Sequence, residues 1–242
     1  MPKPFRFSID NLNVLRGNKL LEMKNIVKKY EVGNVSTFAL RNFSISILSG
    51  EFVSIEGVSG AGKTTFLNIA GLLDSMDDGH YELAGTDVGA LTESQLAKLR
   101  NELIGFVFQG FNLLPELTVE RNIELPLRIR GLPLLERERR VQDALEEFGL
   151  QGRRDHMPNM LSGGQQQRAA VARAMVAEPS IIFADEPTGN LDPSMAESVM
   201  EILEEINQRG TTVVLVTHSE ECARFAKRRV IVRDGSVVEE VL

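Results

Sequence analysis

Cysteine is nearly absent. Among 242 residues only Cys222 carries a thiol, which excludes an intrachain disulfide framework and permits a reducing compartment. Long apolar runs are missing as well. No stretch of about 18 apolar residues exists, so no part of the chain is read as crossing a bilayer. Met1 to Asp10 lacks the apolar core of a signal peptide. Positive charge is in short supply: 27 Lys and Arg face 34 Asp and Glu, a net charge of −7. That balance argues against non-specific nucleic-acid binding and is silent on fold. No internal repeat or low-complexity tract stands out. What is present is enough apolar material, 43% of residues, to build a large core.

Two kinds of strand pattern follow one another. Met23, Ile26 and Val27, and then Phe38 to Leu48, alternate apolar with polar, as in an antiparallel sheet with one buried face. Phe52–Ile55, Ile181–Ala184 and Val213–Val216 are instead almost continuously apolar, the mark of parallel strands covered by helices on both faces. Helices are expected over Thr64–Leu73, Gln166–Ala177 and about Ser194–Gln208, the last ended by Gly210. Asp234-Gly235 between Arg229–Arg233 and Ser236–Glu239 predicts a hairpin. Residues 92–160 differ in composition, with a helix at 92–101, a strand at Ile104–Phe108, prolines at 115, 126 and 133 that divide the next stretch, and a helix at Leu134–Phe148. They are read as a helical subdomain inserted into an α/β core formed by 21–91 and 161–242. Residues 1–20 are poorly patterned and receive no role.

Gly57-Val-Ser-Gly-Ala-Gly-Lys-Thr-Thr65 matches GxxxxGK[ST] between a strand and a helix. Such a loop curls its N–H groups around phosphate at a helix N-terminus. Lys63 can reach the β- and γ-phosphates, and the Thr64 hydroxyl can bind Mg²⁺. Asp185 ends an apolar strand, where a carboxylate can hold hydrated Mg²⁺. Glu186 follows and could orient an attacking water, although acids at strand ends also occur simply as solvated groups. His218, just past Val213–Thr217, falls at the edge where parallel strands present ligands and could donate to a γ-phosphate. Gln109 closes Ile104–Phe108, where its amide could touch the metal or the water. Leu161-Ser-Gly-Gly-Gln165 precedes a helix, and Ser162 with Gln165 forms a capping box. Gly163 and Gly164 in the first turn cost helix propensity, about 1 kcal/mol each against alanine, and expose N–H groups that a phosphate could approach.

Together these motifs resemble the nucleotide-binding subunit of an ATP-binding cassette transporter, from about Leu21 to Leu242. The resemblance implies a single P-loop NTPase domain over 1–242: a mostly parallel core sheet, an N-terminal antiparallel β subdomain and an inserted helical subdomain. It identifies Gly57, Ser59, Gly60, Ala61, Gly62, Lys63, Thr64 and Thr65 with the Walker A loop, and Ile181–Asp185 with Walker B, Glu186 following. Gln109 corresponds to the Q-loop, Leu161–Gln165 to the signature, Asn190–Asp192 to the D-loop and His218 to the switch histidine. Tyr30 sits where the family often stacks adenine. The cofactors implied are ATP and Mg²⁺, the metal held by Thr64, Gln109 and Asp185. Catalysis would fall to Glu186 and His218 with Gln109 and Lys63.

Phe106–Val119 and Ala184–Asp192 are similar to the lipoprotein-releasing and macrolide-export type. That type implies a homodimer sandwiching two ATP molecules, each between Lys63 of one copy and Ser162, Gly163 and Gly164 of the other, with Asp192 coupling the sites. It also implies a permease seated near Asn112–Thr118, since the chain is too short to include one, and a cytoplasmic location on the inner face of the membrane. A non-transporting regulator of a membrane division or envelope complex would carry the same motor. The absence of a long coiled-coil insertion counts against nucleic-acid repair relatives. Val58, Ala61 and Thr64 depart from commoner residues without removing an N–H donor or the metal-binding hydroxyl. Arg121 stands where the subgroup often has glutamate.

Overall fold

The computed structural model describes residues 18–32 and 35–241. Residues 1–17, most of the segment given no role, lie outside them. Two sheets form. The first is antiparallel, in the order β2-β1-β4-β5, from β1 (Lys19–Val32), β2 (Val35–Leu48), β4 (Asp78–Leu83) and β5 (Thr86–Asp87). The alternation read in the sequence is its buried face: Leu21, Met23 and Ile26 on β1 and Phe43, Ile45 and Ile47 on β2. Asn25 and Asn42 take positive φ at irregularities in this ladder, a conformation that asparagine tolerates better than most residues. β4 and β5 were not legible, because Asp78-Gly-His is polar and exposed until Tyr81 and Leu83 turn inward.

The second sheet runs β10-β9-β3-β8-β7-β6, from β3 (Phe52–Glu56), β6 (Ile104–Phe108), β7 (Ile181–Asp185), β8 (Thr212–Thr217), β9 (Arg228–Arg233) and β10 (Ser236–Val241). β3, β6, β7, β8 and β9 are parallel, and β10 returns antiparallel. The Asp234-Gly235 turn has positive φ at both residues, as a tight hairpin requires.

The continuous apolar strands are buried on both sides. Phe183 and Ile181 of β7, and Val214 and Val216 of β8, face one core with α1 (Lys63–Ala70) and the antiparallel sheet. Ile182, Ala184, Val213 and Leu215 face a second core. That core is completed by α3 (Val119–Ile129), α4 (Leu134–Glu147), α5 (Gly163–Met175) and α6 (Pro193–Gln208). α2 (Glu93–Leu103), opened by a Thr92–Gln95 capping box, leads directly into β6, and α7 (Glu220–Ala223) follows β8.

β6 lies within the stretch 92–160 yet is the edge strand of the core sheet, paired with β7 from Ile104↔Ile181 to Phe108↔Asp185. The helices of that stretch that leave the sheet come after it. Pro126 does not divide the chain there. It lies inside α3, where losing one helical bond costs about 3 kcal/mol, offset by burial of Val119, Ile123 and Leu127.

Phe183 is fully buried, its ring 5.9 Å from that of Phe106. Phe183→Ala is expected to lower stability by about 3–5 kcal/mol. Urea unfolding should show a lower midpoint at unchanged slope, and a loss under about 1 kcal/mol would contradict this packing.

Candidate nucleotide site

Parallel register assembles the site. Phe108 pairs with Asp185, Asp185 with Val216, and Glu56 with Thr217, so β3, β6, β7 and β8 end along one line. The residues that follow them, Gly57, Gln109, Glu186 and His218, therefore meet at one sheet edge. They are spread over 161 positions of the chain, yet the last three line a single cavity of about 640 Å³ with Ser59, Gly60, Gly62, Lys63, Thr64, Thr65 and Asp185. Gly57 and Ala61 shape the loop from behind.

The loop is packed as tightly as it is curled. Gly62 has φ 102° at the N-cap of α1, and a Cβ there would stand 2.5 Å from the Ala39 carbonyl. A Cβ on Gly57 would meet the Val232 carbonyl at 2.3 Å. No side chain caps α1, so its first N–H groups and the positive end of its dipole are left for an anion. Lys63 Nζ donates to the Gly57 and Val58 carbonyls at 2.6 and 3.0 Å, which holds the ammonium at the loop.

Facing Lys63 are the two acids. Burial, then the neighbouring Glu186 charge, push the Asp185 carboxyl above its ordinary pKa, with Lys63 opposing. Glu186 takes φ 46°, which turns its carboxylate away from the line of β7. Its Oε1 lies 2.6 Å from Nδ1 of the exposed His218, and its Oε2 accepts from the Thr217 hydroxyl at 3.3 Å. Thr217 was not singled out from the sequence. It ends β8 directly before His218, and a hydroxyl on the strand beside an acid 31 positions away gives no pattern to read.

The donor set fits Mg²⁺. Among the described residues no cluster of three His, Cys, Asp or Glu exists. Mg²⁺ needs none, since it keeps waters and phosphate oxygens and takes only one or two protein ligands. Asp185 and the Thr64 hydroxyl could provide these, and a cation there would relieve the cost of a partly buried carboxylate beside another. The Gln109 amide lies at the same cavity, bonded reciprocally to Asn190 (Nε2 to Oδ1 3.4 Å, Asn190 Nδ2 to the Gln109 carbonyl 3.0 Å).

The signature residues stand apart. Ser162 accepts from the Gln165 amide at 3.4 Å and Gln165 Oε1 accepts from the Ser162 amide at 3.0 Å, the expected capping box. Neither they nor Gly163 and Gly164 line the cavity, and Asp192 caps α6 through the Met195 amide at 3.0 Å. Packing supplies its own reason for the two glycines. A Cβ on Gly164 would lie 2.8 Å from Met195 Sδ, and one on Gly163 would lie 3.3 Å from Leu191 Cδ2. Gln167 adds a fully buried bond, Nε2 to the Pro187 carbonyl at 2.7 Å. α5 is thus fastened to the Glu186–Asp192 segment.

Two further residues order the chain beyond Gln109. Arg173 donates to the carbonyls of Phe111 (3.0 Å) and Asn112, both at positive φ. Asn122, fully buried, grips Leu114, Leu117 and Thr118 through four backbone bonds of 2.7 to 3.1 Å. Both sit on helices that carry other polar residues, so the sequence did not set them apart.

Comparison with known proteins agrees with this geometry. The family model described as ABC transporter matches residues 40–189. The chain belongs to that family. As an ABC-type ATPase it is 47% identical over 219 residues to the uncharacterized ABC transporter ATP-binding protein YknY of Bacillus subtilis, covering 90% of this chain and 95% of that one. It is 45% identical to the macrolide export ATP-binding/permease protein MacB of Shigella flexneri over 90% of this chain, and spans about a third of MacB, 34%. Among solved structures, the ATP-binding cassette MJ0796, dimeric and bound to ADP and Pi in a post-hydrolysis state, superposes with a TM-score of 0.85 at 43% identity, covering 91% of this chain and 97% of that one.

A raised acid pKa has a thermodynamic sign. Between 3.8 and the higher native value, the folded ABC ATPase binds more protons than the unfolded chain, so this group's contribution to stability falls as pH rises. Asp185→Asn removes that loss. Without nucleotide or metal, the variant should melt above the parent at pH 7, with the gap closing toward pH 4. A variant that melts lower at pH 7 would contradict the electrostatics of the site.

Proposed function

We propose that this ATPase binds Mg–ATP between two copies of itself and that hydrolysis drives a membrane permease of the macrolide-export and lipoprotein-releasing kind. The observation that carries the reading is the convergence of Lys63, Asp185, Glu186, His218 and Gln109 on one cavity above an uncapped helix.

The loop N–H groups of Ser59 to Thr65 and the Lys63 ammonium hold the β- and γ-phosphates. Bound Mg²⁺, held by Thr64 and Asp185 with Gln109 beside it, supplies charge neutralisation of the phosphate oxygens. Glu186 orients a water and takes its proton as the water oxygen attacks Pγ. The bond from Pγ to the β,γ-bridging oxygen breaks, and ADP leaves. His218, held by Glu186, donates to the γ-phosphate oxygens. Tyr30 stacks on the adenine. Ser162, Gly163, Gly164 and Gln165 of the second copy cover the triphosphate from the other side. That closure is supported by the MJ0796 dimer and by the distance of these residues from the cavity of their own chain. Asp192 and the α5 fastening couple one site to the other.

Asn112–Thr118 is the proposed permease contact. Asn112 borders a second hollow of about 300 Å³ with Phe108, Leu125, Pro126 and Arg173, so that a push on it reaches Gln109 through a few residues. Among the described residues no helix is long and apolar enough to cross a membrane. A location on the inner face of the cell membrane, held by a permease, goes with the proposed permease role and is supported by the likeness to the MacB ATP-binding/permease protein.

Two variants test the chemistry. Glu186→Gln keeps the shape but removes the base, and should cut turnover about 10²-fold or more while ATP accumulates a dimer on size exclusion. Undiminished turnover would remove the assigned role. Lys63→Ala should weaken ATP binding by at least tenfold in titration calorimetry, since a charge-assisted phosphate contact is lost. Unchanged affinity would remove the phosphate site. Co-purification from detergent with a multi-span permease tests the transport role, and recovery of a division or envelope complex without a permease would overturn it.

A further inference from the structure

Tyr30 is 42% exposed and stands at the edge of the site, with the Thr65 side chain beside its phenol. Its hydroxyl donates to Asp74 Oδ2 at 2.8 Å. The other oxygen of Asp74, Oδ1, accepts from the Lys28 ammonium and from the Ser75 amide, each at 2.7 Å, and Lys28 also donates to the Ser75 carbonyl at 2.7 Å. Lys28 has its side chain only 8% exposed, and this carboxylate is its ion-pair partner. The same ammonium lies 5.4 Å from the centroid of the Tyr30 ring. One ring face is thereby occupied by a cation held from within β1.

Asp74 lies four residues past the end of α1, and α1 begins at Lys63. The turn between them is held by backbone bonds from the Leu73 and Asp74 amides to the Asn68 carbonyl, at 2.7 and 3.1 Å. The aromatic ring and the phosphate loop are thus referenced to one helix, although Tyr30 belongs to the other sheet. A ring that stacks must be held flat at a fixed distance from the phosphates, and a phenyl group attached only through its own β1 backbone is free to rotate about χ1.

We propose that Asp74, braced by Lys28, is a positioning residue for nucleobase binding: it holds Tyr30 through its hydroxyl at a set distance from the phosphate loop. This rests on the reading that Tyr30 stacks on adenine. The contribution belongs to the base alone, so it separates ATP from a triphosphate without a base.

The experiment measures binding of ATP and of inorganic tripolyphosphate, each with Mg²⁺, by titration calorimetry to the full chain, with steady-state ATP hydrolysis alongside. Tyr30→Phe leaves the Lys28–Asp74 pair intact and deletes only the phenol bond. It should weaken ATP by about three- to tenfold, raise KM by the same factor, leave kcat near the parent value and leave tripolyphosphate unchanged. Asp74→Ala should do the same more strongly, and Asp74→Asn, which still accepts from the phenol, should recover part of the loss. Because Asp74→Ala leaves a buried ammonium unpaired, the folding-neutral Tyr30→Phe decides the case if that variant fails to fold. ATP affinity unchanged in Tyr30→Phe, with Tyr30→Ala still weakened, would overturn the positioning role and leave the stacking reading intact. Parent-like ATP affinity in Tyr30→Ala would overturn the stacking reading, and the proposal with it. Equal losses for ATP and tripolyphosphate would assign Asp74 to the support of α1 and also overturn the proposal.

Discussion

The arrangement depends on parallel hydrogen-bonded register among four strands. β3, β8, β7 and β6 are neighbours in that order, and because they run the same way their C-terminal ends fall side by side. Each strand hands one chemically distinct group to the same edge: a phosphate loop after β3, a histidine after β8, two acids at the tip of β7 and an amide after β6. Burial on both faces keeps this register from slipping. A shift of one residue would exchange Phe183 for Ala184 between the two cores and move Asp185 off the line. The same apolar residues that stabilise the fold therefore set the spacing of the groups that line the cavity.

Around this edge the chain is built in fastened blocks. α1 carries the phosphate loop at one end and, just beyond its other end, the carboxylate that receives Tyr30. α5 carries the signature at its N-terminus and is bolted to the Glu186–Asp192 segment by Gln167 and by Gly163 against Leu191, and to α6 by the close seat of Gly164 on Met195. Its far end reaches the Phe111–Asn112 carbonyls through Arg173. Among these fastenings the Gln167–Pro187 bond is fully buried. The acids bear the electrostatic cost. Asp185 is partly buried beside Glu186 and its pKa is raised, a strain that a cation relieves.

Much of this was legible in the residues themselves. The P-loop announces its own geometry, the Asp234-Gly235 turn its hairpin, and the doubly apolar runs their place inside a covered sheet. The spacing of Ser162 and Gln165 announces a helix start. What the sequence hid was position across the chain. β6 sits amid helices and prolines, and nothing local says that Ile104–Phe108 rejoins the core sheet rather than the insertion. Polar β4 carries too little periodicity to be read. The glycines of the signature could be assigned to phosphate contact from the sequence, whereas their packing against Met195 and Leu191 belongs to tertiary structure. Lys28, Asp74 and Tyr30 are separated by up to 46 positions, so a bond network among them leaves no pattern that spacing can disclose.

On the proposed reading, register sets the β7 acids beside the metal–triphosphate that the loop around Lys63 would grip. The measurement closest to it is pulsed electron paramagnetic resonance with Mn²⁺ in place of Mg²⁺ and ATP bound. Phosphorus couplings to the ion from the triphosphate are expected, together with a change in its coordination in Asp185→Asn. A spectrum with no phosphorus coupling, or one indifferent to Asp185, would contradict it.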